Sequence, residues 1–159
     1  MTEPLVIYRI NRALDTLKEV PVLVEHEFLN TAINRLYYAC FYAVSAILLH
    51  HKIEASTHAG VRQMFGLHFV KAEIIDAQHG HFYSRLFNIR QISDYDDYID
   101  FDRERVMDMI EPAEELIKLS RCFNKIAAYL DNAYPDNAYV VSTHIPATFG
   151  THEILPDSR

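Results

Sequence analysis

Arginines set among hydrophobic residues are where this 159-residue chain has the means for chemistry. Asn34 and Arg35 interrupt an apolar pattern just before Leu36 to Leu49, fourteen residues without a charge or a histidine. Arg90 stands between Ile89 and Ile92, close to Asp94 and Tyr95. A guanidinium near a buried helix face needs a carboxylate or a ligand anion, because an unpaired buried charge is costly. Arg90 and Asp94 are four residues apart, so a helix would let them pair with each other. The other reading is a polar site in which Arg90 holds a phosphate and Asn34, Arg35, Asp94 and Tyr95 complete the lining.

Other chemistries lack their residues. Nine histidines invite a metal, yet no Glu-x-x-His, Cys-x-x-Cys or His-Glu-x-x-His occurs, so no metal and no cofactor is expected. His50-His51 and His79-x-His81 fall at predicted helix ends, where polar residues gather in any case. No Gly-x-Ser-x-Gly elbow and no glycine-rich phosphate loop is present. The run Asp94-Tyr95-Asp96-Asp97-Tyr98 has the acids of a metal cluster, but the commoner form of such a run is a solvated helix end with half-buried rings. Cys40 and Cys122 sit in apolar helical patterns and read as reduced core thiols.

The elements that must position these groups are helical. Four Gly and six Pro in 159 residues leave too few turns for an all-β domain. The net charge of −7 is no signature of a nonspecific nucleic-acid binder. Fourteen uncharged residues fall short of the roughly 20 that cross a bilayer, and MTEPLVIYRI lacks a basic leader. A cytoplasmic domain without a membrane span is expected.

Ile7, Ile10, Leu14 and Leu17 mark a first helix that ends or kinks at Pro21. Asn30 is placed to cap the next, Thr31 to about His51, with Ile33, Leu36, Tyr37, Cys40, Val44, Ile47 and Leu48 on one face and small or aromatic residues around the rest. Apolar nearly all round, it belongs at the centre of a bundle. Ser56 or Thr57 caps a third helix with Val61, Met64, Phe65 and His68 inward. His79-Gly80-His81 marks a break before a fourth, with Phe82, Leu86, Ile89 and Ile92. Asp102 caps the last, which carries Val106 to Leu130 and a kink at Pro112. The prediction is an all-α antiparallel bundle of about five helices over residues 1–130, followed by a largely irregular C-terminal extension, 131–159.

The strings LNTAINRLYYACFYAVSAILL, STHAGVRQMFGLHFVK and LFNIRQISDYDDYIDF resemble the HEPN superfamily, in its small stand-alone prokaryotic branch. The resemblance covers about residues 5 to 130. It implies a bundle of about five helices that forms homodimers, and frequent pairing with a minimal nucleotidyltransferase in toxin–antitoxin or defence modules. It also implies, for active members, metal-independent ribonuclease chemistry at an Arg followed by four to six residues and a His. This chain departs from that motif. The allowed positions after Arg90 hold Tyr95, Asp96 and Asp97. Arg62 and His68 fit the spacing on another helix, as one such pair does by chance among ten Arg and nine His.

Without that histidine, general acid–base catalysis lacks its usual agent. The reading favoured is therefore a non-enzymatic, dimeric binding module that takes RNA or nucleotide. The alternative is a ribonuclease toxin with a non-standard site of Arg90, Asp94 and Tyr95. Ala39, Ala43 and Ala46, with Tyr38 and Tyr42, read as surplus apolar surface for a dimer contact.

Overall fold

The computed structural model describes the backbone of residues 2–95 and 100–133 and the side chains of residues 4–92 and 100–125. Among them there are six helices and no strand: α1 (Thr2–Glu25), α2 (Leu29–His50), α3 (His58–Phe65), α4 (Ala77–Tyr95), the short α5 (Arg103–Met107) and α6 (Ile110–Ala133). Five are of eight residues or more, so the all-α bundle expected from the pattern is what forms.

α2 is the axis. It packs against each of the other five helices. Ile33, Leu36, Tyr37, Cys40, Val44, Ile47 and Leu48 are all buried, as their spacing requires. It is also long and apolar enough to cross a membrane, but two-thirds of its most apolar window, 67%, is buried inside the bundle, as in a core helix.

α1 runs on through Pro21 to Glu25, and a three-residue turn with Glu27 at φ 60° leads into α2. Its buried face is not the predicted one. Val6, Ala13, Val20 and Val24 are inside, whereas Ile7 is 54% exposed and Ile10, Leu14 and Leu17 are half-buried. The cause is packing by small residues: Ala13 meets Ala39, Ala43 and Ile117, so α1 and α2 approach closely along alanines. Those alanines are therefore covered within the chain. They do not form the dimer surface expected of them; the exposed large hydrophobics of α1 are Leu5, Ile7, Tyr8 and Val22.

Further differences have local causes. Phe28, not Asn30, occupies the cap position of α2, and the Asn30 side chain instead accepts the Phe101 N–H at 3.4 Å. α3 opens as expected, with Thr57 Oγ1 accepting the Gly60 N–H at 3.0 Å. It then widens at Gly66–Val70 into a turn closed from Lys71 N–H to Gly66 C=O. The extra residue in that turn rotates the register, so Phe69 enters the core and His68 is exposed. His79-Gly80-His81 is not a break but the first turns of α4. A Cβ on Gly80 would lie 2.7 Å from Val70 Cγ2, so glycine here lets α4 close on the widened turn.

Along α4, Phe82, Leu86 and Ile89 are buried as predicted, joined by Tyr83 and Phe87, while Ile92 is 49% exposed. Asp102 caps α5 through the Arg105 N–H at 2.7 Å, but α5 is one turn long. The chain breaks before Pro112 instead of kinking at it, because α6 begins at Ile110 and places the proline in its first turn, where no N–H is missed. Arg103 ties α5 to the first hairpin through Val24 C=O at 3.0 Å and the Glu27 carboxylate at 2.7 Å. α6 continues to Ala133, three residues beyond the predicted end of the bundle; the remainder of the extension lies outside the described residues.

Candidate functional site

Arg90 is half-buried on α4, and its guanidinium lies over two rings of α2, 5.2 Å from the centre of Tyr37 and 5.5 Å from that of Tyr38. A cation over aromatic faces gains about 0.5–1 kcal/mol at an exposed site and about 2 kcal/mol or more when desolvated, which favours this position for the half-buried Arg90. Tyr37 in turn stacks on Tyr83, at 6.1 Å and 4° between planes. The Tyr37 hydroxyl lies 2.8 Å from Nδ1 of His58, the first residue of α3. The His58 ring rests 4.3 Å from Phe41 and meets Tyr38 edge-on. One helical turn further, Arg62 lies 4.3 Å over Phe87 and donates to the Asn88 carboxamide at 3.2 Å. Three helices thus bring two guanidinium groups and an imidazole onto one aromatic platform.

Burial governs the protonation of this cluster. Desolvation pushes the Tyr37 hydroxyl up to about 12, against a smaller opposing pull from the Arg90 charge. Tyr83 is likewise raised well above its ordinary value by burial. Both phenols are therefore protonated at neutral pH. The imidazole tautomer sets the direction of the Tyr37–His58 hydrogen bond: Tyr37 donates when the ring proton is on Nε2 and accepts when it is on Nδ1. Around Arg62 the described partners are an aromatic face and a neutral amide, with no carboxylate among them. That leaves its charge available to an incoming anion.

The residues picked from the sequence separate in space. Arg90 is at the centre of the cluster. Asn34 is half-buried on α2, one turn before Tyr38. Arg35 has turned towards α1 instead, where its Nε is 3.3 Å from a Glu19 carboxylate oxygen, with both side chains partly exposed. Arg35 thus has the carboxylate that its setting demanded. Asp94 and Tyr95 close α4, but their side chains lie outside the described residues, as do Asp96 to Tyr98.

The residues that sequence reasoning missed are Tyr37, His58 and Arg62. Their legible signal was His58-x-x-x-Arg62, one helix face in the reverse order from the Arg-to-His spacing, facing the Tyr37-Tyr38 doublet. Among the described residues no group of histidine, cysteine and acidic side chains could hold a metal ion.

An all-α bundle with a basic aromatic platform between its second, third and fourth helices defines the class. Residues 6–125 match the HEPN domain, and the chain belongs to that family. It is 39% identical to a UPF0332 protein of Thermotoga maritima over 70% of this chain and 85% of the relative. It is 34% identical to a candidate toxin of Methanocaldococcus jannaschii over 76% of this chain and 78% of the relative. A second candidate toxin of that organism is 35% identical over 54% and 64%.

Proposed function

We propose that this chain is a HEPN-type binding module of a two-component toxin–antitoxin or defence pair. It is cytoplasmic and dimeric, partnered by a minimal nucleotidyltransferase, and binds RNA or nucleotide without turning it over. The observation that carries the reading is the platform itself: Arg62 and Arg90 held over aromatic rings, a surface suited to phosphate beside a stacked base. The names of the Methanocaldococcus relatives support the toxin–antitoxin setting. The protonated phenols support binding over turnover, since neither Tyr37 nor Tyr83 is a base at neutral pH.

The test is fluorescence anisotropy of a labelled single-stranded RNA and of ATP across a salt series, with Arg62→Ala and Arg90→Ala beside the parent. Each variant should bind about tenfold or more weakly and reduce the salt slope by about one. Unchanged affinity in both would overturn the reading. Light scattering should return about twice 18.5 kDa.

One observation favours a second reading. His58 stands in the cluster, so a histidine absent from α4 is supplied by α3, and a ribonuclease site of Arg90 and His58 with Asp94 or Tyr95 has a proton-transfer group. Incubation with total tRNA in EDTA decides between the two. Cleavage by the parent that Arg90→Ala, His58→Ala and Tyr95→Phe abolish would establish the ribonuclease; intact RNA keeps the binding module.

A further inference from the structure

A cavity of about 730 Å³ opens between α1, the C-terminal half of α2, the 51–57 connection and α3. Its volume is that of a pocket for a small organic molecule. The platform's residues do not line it: α3 turns Gly60 and Val61 towards this cavity, while His58 and Arg62 face the aromatic cluster.

Two polar groups in its wall have no account within the fold. Ser45 is only 6% exposed, and its hydroxyl has no hydrogen-bond partner among the described residues, although a helical serine commonly bonds back to the preceding turn. Arg9 carries a buried Nε without a partner, and no ion pair to a described residue. Buried polar groups are nearly always satisfied, so two orphans in one cavity point to a missing partner. Arg9 Nε–H can only donate and the Ser45 hydroxyl can donate, so a single acceptor group satisfies both. Lys52 adds a second cation and Glu54 a carboxylate, leaving a single positive excess. Leu48, Leu49, Ile53, Val61 and Met64 supply an apolar part of the wall, beside Ser56 and Thr57.

We propose that this cavity binds a small organic monocarboxylate, its head taken by Arg9 and Ser45 and its hydrocarbon body by the apolar wall. The planar guanidinium suits a carboxylate in a two-bond fork. One net positive charge matches a monoanion, and Glu54 opposes the doubly charged form of a phosphate monoester. The site is separate from the RNA platform and does not depend on it.

The experiment is titration of the full ¹⁵N-labelled chain with sodium octanoate, octanamide and octyl phosphate, read by amide chemical shifts and isothermal calorimetry. Octanoate should saturate, shifting the Ser45, Thr57 and Gly60 amides. Octanamide and octyl phosphate should each bind about tenfold more weakly. Arg9→Met should weaken octanoate about tenfold, and Glu54→Gln should restore binding of octyl phosphate. Should Arg9→Met fail to fold, Ser45→Ala decides, because it removes one hydroxyl and little packing; it should lower affinity by about threefold. Equal affinity for octanoate and octanamide, no saturation, or full affinity in Ser45→Ala would each overturn the proposal.

Discussion

On its α1 side, α2 presents Arg35 to a carboxylate; on its α4 side it presents two tyrosine rings to Arg90. Both arginines break an apolar pattern, and each has been settled by a different neighbour. The Arg35–Glu19 contact is 3.3 Å between partly exposed groups, an ion pair of small net value. Arg90 lies over two ring faces beside His58 and Arg62, so its described surroundings on this side are aromatic and basic. An interruption in a hydrophobic period therefore marks where polarity is tolerated, and the facing element decides whether it becomes scaffold or site.

The sharpest way to break the comparison is to remove the helix that both sides share. Leu36 is fully buried, and Leu36→Ala should cost about 2–5 kcal/mol in urea unfolding, with loss of any RNA binding. A loss below 1 kcal/mol, on the order of a surface change, would contradict the central place given to α2.

Next in size is the direct contrast between the arginines. Arg90→Ala should reduce RNA affinity about tenfold or more, while Arg35→Ala should leave it alone and cost about 0–1 kcal/mol of stability. Equal losses in the two variants would merge the regions into one site.

A pH series isolates the platform. The Tyr37 pKa is raised in the folded state, to about 12 from 10.0, so its stabilising contribution is complete below pH 10 and is lost as pH rises from 10 through 12. Tyr83 acts in the same direction. Unfolding free energy should fall across that window, and Tyr37→Phe should flatten the fall. Absorbance of phenolate should show Tyr37 among the last tyrosines to ionise. A tyrosine ionising near pH 10 at this position would show that the site is wet.

The smallest effect is that of the Tyr37–His58 hydrogen bond at neutral pH. Tyr37→Phe keeps the ring stack and removes one bond, which should cost about 1 kcal/mol. Calorimetric unfolding at pH 7 reads it directly, and an unchanged midpoint would mean that the bond contributes little.

Sequence by itself determined the helical class, the buried identity of α2, a cap at Ser56 or Thr57 and the capping role of Asp102, because period, apolar run length and short-range capping are local properties. It assigned Asp102 to the last long helix, whereas this residue caps the one-turn α5. It also singled out Arg35 and Arg90 as anomalies. It misassigned the inner face of α1, since alanine contacts let helices approach closely without any signal from large residues. It read Gly80 as a break, because the need for glycine there comes from Val70 on another element. The gathering of Tyr37, His58, Arg62 and Arg90, and the pairing of Arg35 with Glu19, were settled only by tertiary packing. Those contacts join residues up to 53 positions apart between helices, and their geometry depends on how α1, α3 and α4 rotate against α2, which no spacing within one helix encodes.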